Sequence, residues 1–426
     1  MSEPTFFISA GEASGEHYGA LLISAIRARL QSSGKSAAFY GMGGDRMAAA
    51  GLDRIVRSED MAVMGITEVL HHLPRIYREF RKLKSAIRRR PPTVAILIDF
   101  PDIHFRLAAQ LHRLGVPVLF FVSPQLWAWK KHRIQLVQRY IDEMLVIFPF
   151  EEQFYLDHGV RARFVGHPLA DLPLPPISRA DFASQHQLDP AAQWIGLLPG
   201  SRAKEIRANL PEMLRAARLL IKQTGPAQFL FPLAATLTQE QRSLAQSLVQ
   251  EHGSDVTVRL IRDSGAEGAA APTAGGARAA LFHARASVVA SGTATVEAAL
   301  IGNPFVVVYR VSPLTYAIAQ RVVTVPHVAM ANLIAGHRAV PELIQGDFTA
   351  ENIVHHLAPL LPDGPPRQSM MQELARVRAL LTSHPVQSES AASAVDRVAE
   401  IALAYAGLGP AHTSGMVATG ANFSEF

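Results

Sequence analysis

The chain has 426 residues, 49 % of them hydrophobic and 18 % charged, a balance that can bury a substantial core and excludes a wholly disordered chain. Its 41 Lys and Arg against 36 Asp and Glu leave a net charge of +5, which suits an anionic partner without choosing between nucleotide, nucleic acid and membrane. The absence of cysteine excludes disulfides, cysteine-held iron–sulfur clusters and a cysteine nucleophile.

From the N-terminus, no secretory signal is expected: the first basic residue is Arg27, and Glu3 and Glu12 stand where a positive segment belongs. Apolar runs are broken early by charge, Pro or Gly, so any membrane role is expected to be peripheral. Short apolar runs predict strands at Thr5–Ser9, Ala38–Tyr40, Val94–Ile98, Val116–Val122 and Glu143–Ile147, with a helix over His17–Gln31. Strands separated by helices predict parallel α/β packing, because a parallel crossover needs length and a helix usually supplies it. Leu169–Ser178, broken by Pro173, Pro175 and Pro176, reads as a linker. The rhythm then restarts: strands at Trp194–Leu198, Gln228–Pro232, Val256–Leu260, Ser287–Ala290 and Phe305–Tyr309, with a helix over Glu205–Lys222. Two Rossmann-like domains facing a cleft are expected, over 1–168 and 179–366. Ala and Gly supply 12 of the 17 residues in 264–280, which reads as a flexible insertion. Gln368–Leu381 and Ser388–Ala404 read as helices, and 407–426 as a frayed tail.

Several loops carry chemistry. Gly11–Glu12–Ala13–Ser14–Gly15–Glu16 follows a strand and precedes a helix; its small residues let backbone N–H groups approach an oxygen-rich ligand, or simply make a tight turn. Asp99 and Asp102 follow the apolar strand Val94–Ile98, where open α/β sheets place ligand groups. Asp99 can take a proton from an attacking hydroxyl and Asp102 can cap the following helix, or both carboxylates simply serve capping and loop geometry. In Ser123–Pro124–Gln125–Leu126–Trp127–Ala128–Trp129 the two Trp either stack on a sugar, meet an acyl chain, or close the core.

In the second half, Pro199–Gly200–Ser201–Arg202 suits a diphosphate, unless Arg202 merely pairs with Glu205. Ser291–Gly292–Thr293–Ala294–Thr295 opens a helix and either cradles phosphate or caps it; Glu297, just inside, can accept from a ribose diol or simply favour the helix dipole. His167 reads as a hydrogen-bonding group at the domain hinge. The 17 histidines form no compact ligand set, so no metal is expected. Arg75–Arg90 is a basic helical stretch with Glu79 its only acid, preceded by the apolar Met61–Leu73. The pair reads either as a contact for an anionic leaflet, through Met61, Val63, Met64, Ile66, Val69, Leu70, Arg88, Arg89 and Arg90, or as an ordinary crossover helix. No recognition pattern for nucleic acid accompanies it.

In their order, Gly11–Gly15, Met61–Gly65, Val122–Pro124 with Trp127–Trp129, Leu197–Arg202, Ser291–Ala294, Tyr309–Arg310 and Asn332–Gly336 resemble the lipid-A-disaccharide synthase family of GT-B glycosyltransferases, over Thr5 to Ala404 apart from the Ala/Gly insertion. The resemblance implies inverting transfer of 2,3-diacylglucosamine from UDP-2,3-diacylglucosamine to the 6-hydroxyl of 2,3-diacylglucosamine 1-phosphate (lipid X), without metal or cofactor. It implies Asp99 as general base, with Ser14, Gly15, Glu16, Asp102, Ser123, Trp127 and Trp129 on the first-domain side. Arg202 and Ser291–Thr295 would hold the leaving diphosphate, Glu297 the ribose, and Tyr309, Arg310 and Asn332 the donor cleft. It further implies C-terminal helices crossing back to the first domain, a site on the cytoplasmic face of the bacterial inner membrane, and homodimers in some members. Another GT-B UDP-sugar transferase, and a non-catalytic nucleotide- or phospholipid-binding protein, are the alternatives.

Overall fold

The computed structural model describes residues 3–61, 66–129, 131–234, 237–262, 275–322, 325–382 and 392–409. The first sheet contains β1 (Thr5–Ala10), β2 (Ala38–Gly43), β3 (Asp53–Arg57), β4 (Val94–Ile98), β5 (Val118–Phe121), β6 (Glu143–Val146) and β7 (Ala162–Phe164) in the order β3-β2-β1-β4-β5-β6-β7. The second contains β8 (Gln193–Leu198), β9 (Ala227–Pro232), β10 (Val258–Ile261), β11 (Ala286–Ala290), β12 (Phe305–Tyr309) and β13 (Glu342–Ile344) in the order β10-β9-β8-β11-β12-β13. Every strand pair is parallel.

Helices cover the sheet faces, so the central strands are apolar on both sides. Phe6, Phe7 and Ile8 of β1 and all five residues of β4 are buried, each large side chain contributing about 1.5–3 kcal/mol relative to exposure. In each sheet the strand order reverses about one central pair, β1/β4 in the first and β8/β11 in the second. A crevice forms beyond the carboxyl ends of such a pair, because the following loops diverge to opposite faces.

The helix Pro365–Thr382 packs on the second domain, against helices Thr293–Ile301 and Met330–Ala335. Helix Ala394–Tyr405 crosses to the first domain and packs on helix Ala13–Ser32, where Arg29 pairs with Asp396 at 2.6 Å and Glu400 at 3.2 Å. The Asp171 carboxylate accepts from Ala394 N at 2.7 Å, tying the crossing helix to the interdomain passage.

Three sequence expectations change here. The Ala/Gly-rich stretch is not a loop throughout: Gly276–His283 is a helix whose Ala279 and Ala280 are buried against the second sheet, since Ala favours helix and its small side chains allow close packing. Met61 is 3 % exposed, inside the first-domain core with Val56 and Leu83, and so offers no membrane contact. The first helix begins at Ala13, which places Ser14, Gly15 and Glu16 on its first turn. Val63, Met64, residues 263–274 and the tail from 410 lie outside the described residues. Among the described residues no helix is long and apolar enough to cross a membrane.

Candidate active site

The switch-point loops of the two sheets meet across a cleft of about 570 Å³. The first domain contributes Glu12, Ser14, Tyr18, Asp99, Phe100, Asp102, Ser123 and Trp129, and the second Gly292, Thr293, Val296 and Met330.

The loop after β4 is built on strain. Asp99 and Phe100 both take left-handed backbone angles, φ 51 and φ 53, and Val122 after β5 takes φ 64. Left-handed geometry is costly for any residue with a Cβ and most so for a β-branched one, of order 1–3 kcal/mol each. Three such residues at the ends of adjacent central strands place the stored strain at the cleft. The loop closes tightly: Asp99 Oδ1 accepts from Phe100 N at 2.8 Å, and Phe100 O accepts from His104 N at 3.2 Å to open helix Pro101–Arg113. Burial raises the Asp99 carboxyl to about 6, helped by the nearby Glu12 charge and opposed by the Phe100 N–H. A carboxylate so desolvated is a better proton acceptor than one in water.

Beneath it, His104 is fully buried, with Nδ1 2.5 Å from Asp99 O and Nε2 2.8 Å from Ser9 Oγ. Burial lowers its pKa to about 4, so the ring is neutral near pH 7. Asp102, on the first helical turn, forms an ion pair with Arg133 at 2.6 Å instead of a side-chain cap, and both residues line the cleft.

The Ser123–Trp129 loop divides its roles. Ser123 lines the cleft with its hydroxyl 2.8 Å from Tyr155 Oη, and Trp129 stands there 44 % exposed. Trp127 turns inward: its indole N–H donates to Glu151 Oε1 at 3.0 Å and its ring meets Phe150 edge to face. Glu151 is wholly buried and also accepts from Phe148 N; burial raises its carboxyl to about 7. Trp127 is therefore core closure supporting the wall that Trp129 presents.

On the opposite side, Gly292 precedes helix Thr293–Ile301 with φ 148, a conformation that favours glycine and brings bare backbone to the cleft at a helix N-terminus. Thr295 donates back to Gly292 O at 2.7 Å, and Ser291 to Val328 O at 3.2 Å, so these two hydroxyls hold the loop. Ala294 follows on the first turn. The negative charge of Glu297, in the same helix, together with that of Asp99, raises the pKa of Tyr18, whose shift comes first from burial. Tyr18 thus stands within electrostatic reach of carboxylates from both domains.

Arg202 caps helix Ala203–Thr224 with Glu205: Arg202 N donates to Glu205 Oε2 at 3.2 Å, and the guanidinium lies 3.5 Å from Glu205 Oε1 while 66 % exposed. Burial raises the Tyr309 hydroxyl at the carboxyl end of β12, the Glu205 charge adding to the shift and the Arg202 charge opposing it.

Three residues expected at the site have their polar groups engaged elsewhere. Glu16 accepts from Arg46 N at 2.9 Å. Arg310 donates to Phe348 O and stacks on the Phe348 ring at 4.4 Å. Asn332 is 0 % exposed and holds Val340 through both its Nδ2 and Oδ1, with Nδ2 also reaching Glu342. A Cβ placed on Gly15 would lie 3.4 Å from the Ile98 side chain. Sequence reasoning missed Glu12, Tyr18, Phe100, Arg133 and Met330 as lining; Glu12 and Phe100 lie inside motifs already singled out, whereas Tyr18, Arg133 and Met330 reach the cleft only through tertiary packing. His167 is buried, neutral by desolvation with a pKa lowered to about 3, and accepts from Leu169 N at 3.1 Å, beside the passage between domains.

Two parallel-sheet α/β domains enclosing a cleft at both switch points define the GT-B fold. Solved structures agree at the level of fold: the S. aureus MnaA–UDP co-structure, at TM-score 0.61 and 12 % identity, covers 95 % of this chain and 97 % of its own, and the calicheamicin glycosyltransferase CalG4, at TM-score 0.56 and 16 % identity, covers 96 % and 99 %. The lipid-A-disaccharide synthetase family model matches residues 6–398, and the lipid-A-disaccharide synthase of Acidobacterium capsulatum is 59 % identical over 411 residues, 94 % of this chain and 96 % of that one. The chain belongs to the lipid-A-disaccharide synthase family and is a glycosyltransferase.

Proposed function

We propose that this chain transfers 2,3-diacylglucosamine from UDP-2,3-diacylglucosamine to the 6-hydroxyl of 2,3-diacylglucosamine 1-phosphate with inversion, giving the β-1,6 disaccharide 1-phosphate and UDP. The observation that carries this reading is Asp99: a desolvated carboxylate with a raised pKa faces a helix N-terminus of the other domain across one cleft. The acceptor oxygen attacks the anomeric carbon, its proton passes to the Asp99 carboxylate, and the bond to the diphosphate breaks on the opposite side. The backbone at Gly292–Thr293 and the exposed Arg202 guanidinium take up the charge on the departing diphosphate, and Glu297 accepts from the ribose.

The lipid tails require a place beside the cleft. Trp129 and Phe100 give its mouth an apolar rim, and helix Ile66–Arg89 carries an exposed basic face that runs away from the cleft to Arg88 and Arg89 at the amino ends of the first-sheet strands, continued by Arg90 just beyond its end. Ile66, Val69 and Leu70 occupy the start of the same helix. We assign this face to an anionic leaflet, placing the enzyme on the cytoplasmic side of the inner membrane.

The test is product identification. Purified protein given both lipid sugars should yield the β-1,6 disaccharide 1-phosphate and stoichiometric UDP, identified by mass and linkage. Transfer confined to a non-acylated UDP-sugar, or binding with no disaccharide, would overturn the reading.

A further inference from the structure

Ser9 is the fully buried polar side chain of strand β1, whose other hydroxyl residue, Thr5, is only partly buried at the strand's start; Ser9 is in register with Leu97 of β4. A hydroxyl there costs free energy unless it has a partner. Its partner is His104 Nε2 at 2.8 Å, across 95 residues of chain. The other ring nitrogen, Nδ1, lies 2.5 Å from the backbone oxygen of Asp99. That oxygen can only accept, so Nδ1 carries the hydrogen. The neutral ring then has a bare Nε2, and the Ser9 hydroxyl must donate to it. Burial keeps the ring neutral and the assignment single.

The bond falls on the strained residue itself. Asp99 holds φ 51 and Phe100 φ 53, and such angles persist only where surrounding contacts over-determine them. The edges of the Phe100 and Phe120 rings pack against His104 at 5.8 and 6.1 Å between centroids and fix its plane.

We infer that His104, oriented by Ser9, is a positioning residue for the transfer reaction: its Nδ1–H holds the Asp99 carbonyl and thereby aims the Asp99 carboxylate into the cleft. This rests on the reading of Asp99 as the base. His104 touches no substrate and exchanges no proton with one.

Two near-isosteric variants separate the two ring contacts. His104→Asn keeps a donor at the Nδ1 position and loses the Ser9 contact; His104→Gln keeps reach to Ser9 and loses the donor to Asp99. With both substrates saturating, His104→Gln should lower kcat about 30–100-fold with KM within about threefold, the scale of a misplaced reacting group. His104→Asn should stay within about fivefold of wild type. Ser9→Ala should lower kcat only about two- to fivefold, because the ring keeps its bond to Asp99. Rates are referred to folded protein by circular dichroism and thermal midpoint, so a general loss of stability does not mimic the pattern. Wild-type turnover in His104→Gln, or equal loss in the Asn and Gln variants, overturns the inference. Asp99→Asn, run alongside, separates the two claims: an inactive Asp99→Asn with an active His104→Gln removes only the role of His104, whereas an active Asp99→Asn removes the base reading and this inference with it.

Discussion

The ring of Phe100 occupies the space that a side chain at residue 11 would need: a Cβ built on Gly11 falls 2.3 Å from Phe100 Cγ. The loops after β1 and β4, at the switch point of the first sheet, are fitted into one another, and the glycine loop shapes the turn that carries Asp99. Gly11→Ala must displace a ring pinned by a left-handed backbone and by His104. It should cost about 1–3 kcal/mol of stability and at least about tenfold in kcat. Adding Phe100→Ala should restore most of the stability, as thermal denaturation of the single and double variants would measure; unaltered stability in the single variant would contradict the packing.

The raised carboxyl of Asp99 sets two pH dependences of opposite benefit. As a base Asp99 must be ionised, so kcat/KM, which reports the ligand-free enzyme, should rise with pH through about 6. For stability the sign reverses. The folded pKa lies above the ordinary 3.8, so the folded state binds the proton more tightly than the unfolded one, and stability attributable to this group falls as pH rises from 3.8 through about 6. Asp99→Asn should therefore stabilise the fold by about 1–3 kcal/mol at pH 8, and by less at pH 5. Denaturant titrations at both pH values check this; a destabilised Asn variant at pH 8 would contradict the desolvation.

Among the described residues the charge contact of Arg202 is an exposed pair with Glu205, so little stability depends on it. Arg202→Ala should change stability by less than about 1 kcal/mol while weakening UDP binding about 5–30-fold, the loss of a charge-assisted contact. Titration calorimetry with UDP distinguishes this from a purely structural cap, for which the affinity would not move.

The exposed arginines Arg88, Arg89 and Arg90 should matter on a lipid surface. Replacing all three with Gln should reduce partition onto anionic vesicles by about tenfold or more at low salt, with a smaller difference at high salt, since each cation near a charged leaflet contributes on the order of 1 kcal/mol. Co-sedimentation measures it, and unchanged partition would leave them as a solvated face.

How much of this was legible in the sequence follows from burial. Val94–Ile98 and Phe305–Tyr309 match strands residue for residue, because a central parallel strand is apolar on both faces and announces itself as an uninterrupted run. Asp53–Arg57, Ala162–Phe164 and Glu342–Ile344 were missed: they are edge strands, short or charged, with no run to read. Apolar character also cannot say which way a residue faces, which is why Met61 reads as surface and sits in the core. Within the site, residues directly after a strand, such as Asp99 and Ser123, were legible from position alone. His104 and Glu151 were not, since their meaning lies in contacts to Ser9 and Trp127, 95 and 24 residues away. Asn332 shows the converse: a motif residue that its neighbours Val340 and Glu342 bind into the scaffold.

The decisive measurement is kcat of Asp99→Asn with both UDP-2,3-diacylglucosamine and lipid X saturating. Asn keeps the size of the side chain and the acceptor for Phe100 N but cannot take the hydroxyl proton. Turnover at least about a hundredfold below wild type, in a chain that folds and binds UDP normally, is the predicted result; turnover equal to wild type would contradict the account.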